Sequence, residues 1–192
     1  MPAPAEELAH RLDGFRAYLG LLARLQLDPR LGGKVDLSGV VQQTLLEAHQ
    51  YLGQGQTAET DELLPLLRRL LARNLTDEVR KALAHKRDAG REQSLDDALK
   101  RSSARLEAFL AANQSSPSVR AQRDEELQRL AQALDGLSEP QRQAVELHYL
   151  QGLPLTEVDA KLGRTKTAVA GLLRRGLDAL RAAMITDRRT DA

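Results

Sequence analysis

Leucine and alanine supply 64 of the 192 residues, whereas valine and isoleucine together supply nine. Leucine and alanine are strong helix formers, and strands draw mainly on β-branched and aromatic side chains. The chain also has three tyrosines, two phenylalanines and no tryptophan. These frequencies predict an all-α fold whose cores are built from leucine and alanine.

Composition also restricts the chemistry available to the chain. The sequence has no cysteine, which rules out disulfides and thiolate metal sites. Its four histidines, His10, His49, His85 and His148, are dispersed without metal-ligand spacing, and there is no glycine-rich phosphate loop. We therefore expect a protein that is not an enzyme and that uses no metal or cofactor.

Two further features bear on the cellular compartment. No apolar run approaches the roughly 18 residues that a membrane span needs. The first residues, MPAPAEELAH, lack the basic and apolar regions of a signal peptide. We expect a cytoplasmic protein with no membrane span.

Charge is balanced over the whole chain but clustered locally. There are 28 Lys and Arg residues against 27 Asp and Glu residues. Residues 68–91 carry eight cations against three anions, and residues 164–181 carry five cations against one anion. A local excess of positive charge favours phosphate-rich partners such as nucleic acid.

Apolar residues in the first half of the chain recur at three- and four-residue spacing, which is typical of amphipathic helices. This spacing predicts one helix over about residues 8–25, a second from Asp36 or Ser38 to about Tyr51, and a third over about residues 66–87. Proline and glycine near residues 28–33, and a polar loop at residues 53–60, separate them. The first domain is therefore predicted to be a small helical unit.

The second half of the chain follows the turn-prone sequence NQSSPS. A leucine stripe predicts a helix over about residues 127–137, and Ser138 with Gln141 forms the pattern of a capping box that starts the next helix. We expect two small helical domains, residues 1–92 and 124–192, joined by a connector over residues 93–123.

Residues 155–181, LTEVDAKLGRTKTAVAGLLRRGLDALR, have the spacing of two short helices that meet at a tight turn. Gly163 can adopt the left-handed conformation that the turn needs, and Thr165 is a good N-cap for the second helix. Val158 and Val169 are among the residues that supply the inward faces. In a helix-turn-helix of this kind, the second helix enters the DNA major groove.

Basic residues cluster around the second helix of this motif. Arg164, Lys166 and Thr167 lie at its N-terminus, where the helix dipole also favours phosphate, and Arg174 and Arg175 follow. The pattern predicts DNA binding. The alternative is an ordinary helix pair whose outer cations are simply solvated.

One carboxylate departs from this pattern. Asp159 lies on the first helix of the motif at a position that faces the second helix, where a small residue usually allows close approach. We expect its side chain to tilt outward or to pair with a neighbour such as Arg174.

Five segments carry a wider resemblance. They are FRAYLGLLARLQLDPRL (15–31), VVQQTLLEAH (40–49), LLRRLLARNLTDEVRK (66–81), KRDAGREQSL (86–95) and LSEPQRQAVELHYLQGLPLTEVDAKLGRTKTAVAGLLRRGLDALR (137–181). In order and spacing they resemble the extracytoplasmic-function sigma factors of bacterial RNA polymerase, in the variety abundant in planctomycetes. The resemblance implies promoter recognition and transcription initiation, with a region 2 domain at residues 1–92 and a region 4 helix-turn-helix domain at residues 124–192.

For region 2, the resemblance implies two interaction surfaces. The second helix docks on the clamp coiled coil of the polymerase through Val40, Val41, Gln42, Gln43 and Thr44. For Gln42 and Gln43, a solvated polar patch is an equally open interpretation.

The third helix of region 2 is implied to face the minus-ten promoter element. In that arrangement, Arg73 and Arg80 suit phosphates and Asn74 suits a base edge. Asp77 is expected to orient a neighbouring arginine, because phosphate repels a carboxylate.

Region 4 is implied to bind the minus-thirty-five element. Arg174 is then the candidate for a bidentate guanine contact. The remaining implied DNA contacts are Arg164, Thr165, Lys166, Thr167 and Arg175 around the backbone, and Ala170 and Gly171 near thymine methyl groups.

The sequence departs from the family pattern at several positions. Gly39 stands where the docking motif has an aspartate, and Leu52, Gly55 and Leu66 replace expected aromatic residues. Two other functions therefore stay open: a free-standing helix-turn-helix regulator, and a degenerate sigma-like interaction protein. An anti-sigma factor also stays open as a further partner.

Overall fold

The computed structural model describes residues 4–27, 31, 34–53, 60–83, 89–113 and 120–190. Within these ranges the regular structure is helical and no strand is present, which confirms the all-α prediction. The helices are α1 (Pro4–Asp13), α2 (Arg16–Gln26), α3 (Leu37–Gly53), α4 (Thr60–Leu83), α5 (Ala89–Asn113), α6 (Arg120–Asp135), α7 (Glu139–Val145), α8 (Leu155–Leu162) and α9 (Lys166–Thr190). A π-helical turn, Glu146–Leu150, continues α7.

The chain forms two compact units, Met1–Ser103 and Ala104–Ala192. The division falls inside the segment 93–123 that we predicted as a connector. The first part of that segment is helical, since α5 extends to Asn113. The functional assignment of the predicted domains stays a prediction.

The core of the first unit lies among α1 to α4. It contains Phe15 and Tyr18, whose ring centroids are 6.3 Å apart in an edge-on arrangement, and both residues are almost completely buried. Leucines from α2 and α4 fill the remaining space: Leu19, Leu21, Leu22, Leu63, Leu67, Leu71 and Leu75. Each buried leucine contributes about 1.5–3 kcal/mol of hydrophobic stabilisation.

Two serines in the middle of α5 form hydrogen bonds with side chains of α2 and α4. Ser103 is fully buried, its Oγ lies 2.9 Å from the Tyr18 hydroxyl, and it accepts a 2.7 Å hydrogen bond from Arg68 Nη1. Ser102 Oγ accepts a 2.7 Å hydrogen bond from Gln26 Nε2. These bonds satisfy polar groups that burial would otherwise leave unpaired.

In the second unit, α6, α7 and α8 each pack against α9. Ser138 donates to Gln141 Oε1 through its hydroxyl at 2.8 Å and its backbone N–H at 3.3 Å, which confirms the predicted capping residues. Arg105 Nη1 donates to the carbonyls of Leu150 and Gln151 at 3.3 and 2.5 Å. The carbonyls at the end of the π-helical turn therefore have a cationic partner.

The turn between α8 and α9 depends on one glycine. Gly163 has φ 60° and ψ 35°, the left-handed conformation that we predicted. The backbone N–H groups of Gly163 and Arg164 both donate to the carbonyl of Asp159. The turn therefore ends α8 and starts α9 within three residues.

We predict that Gly163→Ala lowers the free energy of unfolding by about 1–2 kcal/mol, the cost of a left-handed backbone at an L-residue. A Cβ at this position would meet no heavy atom within 4 Å, so the loss should come from the backbone alone. Gly136→Ala is the control, because Gly136 is exposed and its φ is not positive. Urea unfolding followed by circular dichroism should show a lower free energy of unfolding for Gly163→Ala than for Gly136→Ala. Equal values for the two variants would show that the turn tolerates other residues.

Candidate nucleic-acid interface

The helix-turn-helix of the second unit is formed by α8, Gly163 and α9. Thr165 Oγ1 accepts a 3.3 Å hydrogen bond from the backbone N–H of Ala168, which confirms it as the N-cap of α9. Val158 and Val169 are completely buried, as predicted for the inward faces of the two helices. The opposite side of α9 is therefore held towards solvent.

The structure brings the predicted DNA-binding residues of this motif together at the start of α9. Gly171 is half-buried, and the other residues are exposed: Arg164, Thr165, Lys166, Thr167, Ala170, Arg174 and Arg175. Lys166, Ala170 and Arg174 follow one another at four-residue spacing, so they share one helix face. This face has a small side chain, Ala170, in the middle and a cation at each end.

The cations around the start of α9 can bind an external anion. Among the residues that the structure describes, none forms an ion pair with Arg164, Lys166, Arg174 or Arg175. Further along the same helix, Arg181 does pair with Asp178 at 3.6 Å. The positive charge at the N-terminal part of α9 is therefore not neutralised by described neighbours, and the helix dipole adds to it.

Of the two arrangements expected for Asp159, the pairing with a neighbour such as Arg174 is not found among the described residues. Asp159 Oδ1 is buried and accepts no hydrogen bond from the described residues. Arg174 is left exposed on the outer face. The reason is geometric, since Asp159 lies on the packed side of α8 and Arg174 on the solvent side of α9.

The predicted DNA-binding residues of the first unit lie on α4, and each already has a protein partner. Arg73 Nη2 donates to Glu47 Oε2 at 2.6 Å, and Asn74 Nδ2 donates to the same oxygen at 3.0 Å. Arg80 pairs with Asp77 at 3.1 Å, so Asp77 orients an arginine as predicted. Arg73 and Arg80 of α4 are thus paired, whereas the cations at the start of α9 form no ion pair with a described residue.

The predicted polymerase-docking residues divide between core and surface. Val40, Val41 and Thr44 are buried, and Thr44 Oγ1 donates to the Val40 carbonyl at 2.8 Å. These three residues hold α3 in the unit and offer no surface to a partner. Gln42 and Gln43 are exposed and are the members of the set that a partner can reach.

Sequence reasoning missed Leu46 in this region. Its side chain is 50% exposed and lies one helical turn beyond Gln42 and Gln43. The available signal was its position beside Leu45, which takes the buried side of α3. Leu46 therefore adds an exposed apolar side chain to this polar face.

The start of α3 shows why glycine occupies position 39. Asp36 Oδ1 accepts a 2.9 Å hydrogen bond from the backbone N–H of Gly39, so Asp36 rather than Ser38 caps the helix. A Cβ on residue 39 would lie 2.5 Å from Asp36 Oδ2. A side chain at position 39 would therefore require the capping carboxylate of Asp36 to move.

The aromatic substitutions have different surroundings. Leu66 is 5% exposed and belongs to the core, so it offers no stacking surface. Tyr51, near the end of α3, is 41% exposed. Leu52 is half-buried, and Gly55 lies outside the described residues.

Glu47 connects α3 with α4 through both carboxylate oxygens. Oε1 accepts a 2.9 Å hydrogen bond from Gln43 Nε2, and Oε2 accepts from Arg73 and Asn74. Burial by itself would raise the pKa of Glu47, but these hydrogen bonds and the charge of Arg73 outweigh it and lower the pKa. Glu47 therefore remains ionised in the folded chain to lower pH than an ordinary glutamate.

We predict that Glu47 stabilises the fold in a pH-dependent manner. Because its pKa is lower in the folded chain, its contribution is present above the ordinary glutamate pKa of about 4.3 and is lost as pH falls through the folded value. Carbon-13 NMR titration of the Glu47 carboxyl should show an increased pKa in Gln43→Ala. Gln42→Ala is the matched control and should leave the titration unchanged; identical curves for all three proteins would contradict this network.

The fold and the exposed cations define the second unit as a helix-turn-helix domain suited to DNA. Residues 127–180, which run from α6 into α9, match the family model described as Sigma-70, region 4. The match lies wholly within the second unit and supports a sigma-factor-like DNA-binding role for that unit. No curated protein matches the chain.

Two further features are missing from the described residues. No helix there combines the length and apolar character needed to cross a membrane. In the same part of the chain, His, Asp and Glu do not gather into groups of three or more that could hold a metal ion.

Proposed function

We propose that this chain is an extracytoplasmic-function sigma factor, of the variety resembling those of planctomycetes, which directs core RNA polymerase to promoter DNA in the bacterial cytoplasm. The observation that carries the proposal is the exposed cationic face of α9 within residues that match sigma region 4. That face offers charge, helix dipole and small residues at the place where a recognition helix meets the major groove.

In this proposal, the second unit reads the minus-thirty-five element. Arg174 is exposed, lies one turn beyond Ala170, and forms no ion pair with a described residue. A guanidinium free of an internal partner can make the bidentate contact to guanine that specifies a base. Lys166 and Arg164, at the start of α9, contact the phosphate backbone.

The first unit serves polymerase docking and the minus-ten element. Gln42 and Gln43 supply hydrogen bonds to the clamp coiled coil, and Leu46 adds an apolar contact on the same exposed face. Arg73, Asn74 and Arg80 contact the promoter strand. An anti-sigma factor that covers either face is a partner that the resemblance leaves open.

We predict that Arg174→Ala and Lys166→Ala weaken DNA binding in different ways. Arg174→Ala should cost about 1–3 kcal/mol on the preferred duplex and flatten the preference at one base pair. Lys166→Ala should weaken binding on all sequences and reduce the salt slope by about one. Binding of the full chain to a randomised duplex library, followed by sequencing, measures both effects.

Arg181→Ala is the control for these two variants, because Arg181 lies on the same helix but pairs with Asp178. Its effect on DNA affinity should be the smallest of the three. An unchanged base preference in Arg174→Ala would assign base reading to another residue.

We predict that the double variant Gln42→Ala, Gln43→Ala reduces capture of core polymerase and run-off transcription while the helical content stays the same. The loss follows from the removal of two exposed amides on one face of α3. Gln132→Ala, an exposed glutamine on α6, is the control. Copurification and run-off transcription from a genomic promoter library provide the measurements.

A free-standing helix-turn-helix regulator is the second candidate function. It is favoured by the burial of Val40, Val41 and Thr44 and by the ion pairs of Arg73 and Arg80. A chain of this class binds duplex DNA without capturing core polymerase. Capture of polymerase without run-off product would instead identify a degenerate sigma-like protein.

A further inference from the structure

Glu47 occupies the polar donors that α4 would present to DNA. Arg73 Nη2 and Asn74 Nδ2 both donate to Glu47 Oε2, at 2.6 and 3.0 Å. The Arg73 side chain is nevertheless 50% exposed, and that of Glu47 is 20% exposed. The pair therefore lies at the surface, where a ligand in solution can reach it.

A phosphate group would use the same donors as this carboxylate. Both present anionic oxygens to a guanidinium, and both accept hydrogen bonds at similar lengths. Asn74 has an additional 3.2 Å bond to the hydroxyl of buried Thr44, which fixes its amide beside Glu47. Arg73 and Asn74 thus form a small anion site that an internal anion already fills.

We propose that Glu47 competes with the DNA backbone for Arg73 and Asn74 and so weakens nucleic-acid binding by the first unit of the unbound chain. The inference rests on the proposed function, because it takes α4 as a surface that faces DNA. A partly exposed ion pair is weak. A phosphate held nearby by other contacts can therefore replace the carboxylate, at a cost in affinity.

Gln43 connects this contact with the exposed face of α3. Its side-chain amide donates to Glu47 Oε1 at 2.9 Å, one helical turn away, and restricts the carboxylate to the rotamer that meets Arg73. A protein that takes the Gln43 amide removes this restriction. Occupation of the α3 face therefore favours release of Arg73 to DNA.

The test measures binding of the full chain to a 12-nucleotide single-stranded DNA. Glu47→Gln should tighten binding about three- to tenfold and steepen the salt dependence by about 0.7, the contribution of one added phosphate contact. Glu47→Asp keeps the charge but is one methylene shorter, so it should change affinity in the same direction. Circular dichroism of both variants checks that the helices are retained.

Glu78→Gln is the matched control, because it makes the same change in net charge and removes an ion pair with Lys81 on the same unit. It should tighten binding less than Glu47→Gln. Arg73→Ala combined with Glu47→Gln should lose the additional gain. Equal affinities for Glu47→Gln and Glu78→Gln, or a gain that persists without Arg73, would overturn the proposal.

The duplex experiment separates this inference from the proposed function. Suppose that Arg174 still determines duplex preference and core polymerase still binds. A Glu47→Gln variant with unchanged affinity for single-stranded DNA then refutes only the competition at Arg73. If neither duplex preference nor polymerase capture is found, the sigma-factor proposal fails independently of Glu47.

Discussion

The presentation of α9 depends on apolar packing behind its first turns. Val158 of α8 and Val169 of α9 are completely buried, and Leu172 is 8% exposed. Burying each of these side chains contributes about 1.5–3 kcal/mol. This apolar burial, and not the surface cations, decides which side of α9 faces the core. The direction of Lys166 and Arg174 is therefore set by the residues on the other side of the helix, and Gly163 fixes the angle at which that helix begins.

The two basic stretches have similar charge in the sequence but different electrostatic states in the fold. On α9, the cations near the N-terminus form no ion pair with described residues, whereas Arg73 and Arg80 on α4 are both paired. Exposed ion pairs are individually weak. Pairing therefore changes the stability of the fold little, but it decides which cations can bind an external anion.

Sequence patterns correctly predicted features that depend on neighbouring residues, such as caps and turns. The left-handed Gly163, the Thr165 cap and the Ser138–Gln141 pair depend on neighbours within a few residues, and each is present. The prediction of one helix over about residues 8–25 is wrong, because the chain turns at Gly14 and Phe15 and forms two helices, α1 and α2. Sequence spacing did not identify contacts such as Tyr18 with Ser103, which are 85 positions apart. Tertiary packing also decides which side of a helix is covered, and it buries Val40 and Val41, to which the resemblance assigned docking roles.

The π-helical turn Glu146–Leu150 changes which residues of the helix face the core. Gln151 N–H donates to the Glu146 carbonyl at 2.8 Å, a bond across five residues. Val145 and Leu150 are both fully buried, although five positions on an ordinary α-helix are about 140° apart. The wider turn absorbs one residue and keeps both side chains in phase with the core. One additional residue at this point is therefore accommodated within a single turn, and the side chains on either side of it keep the same buried face.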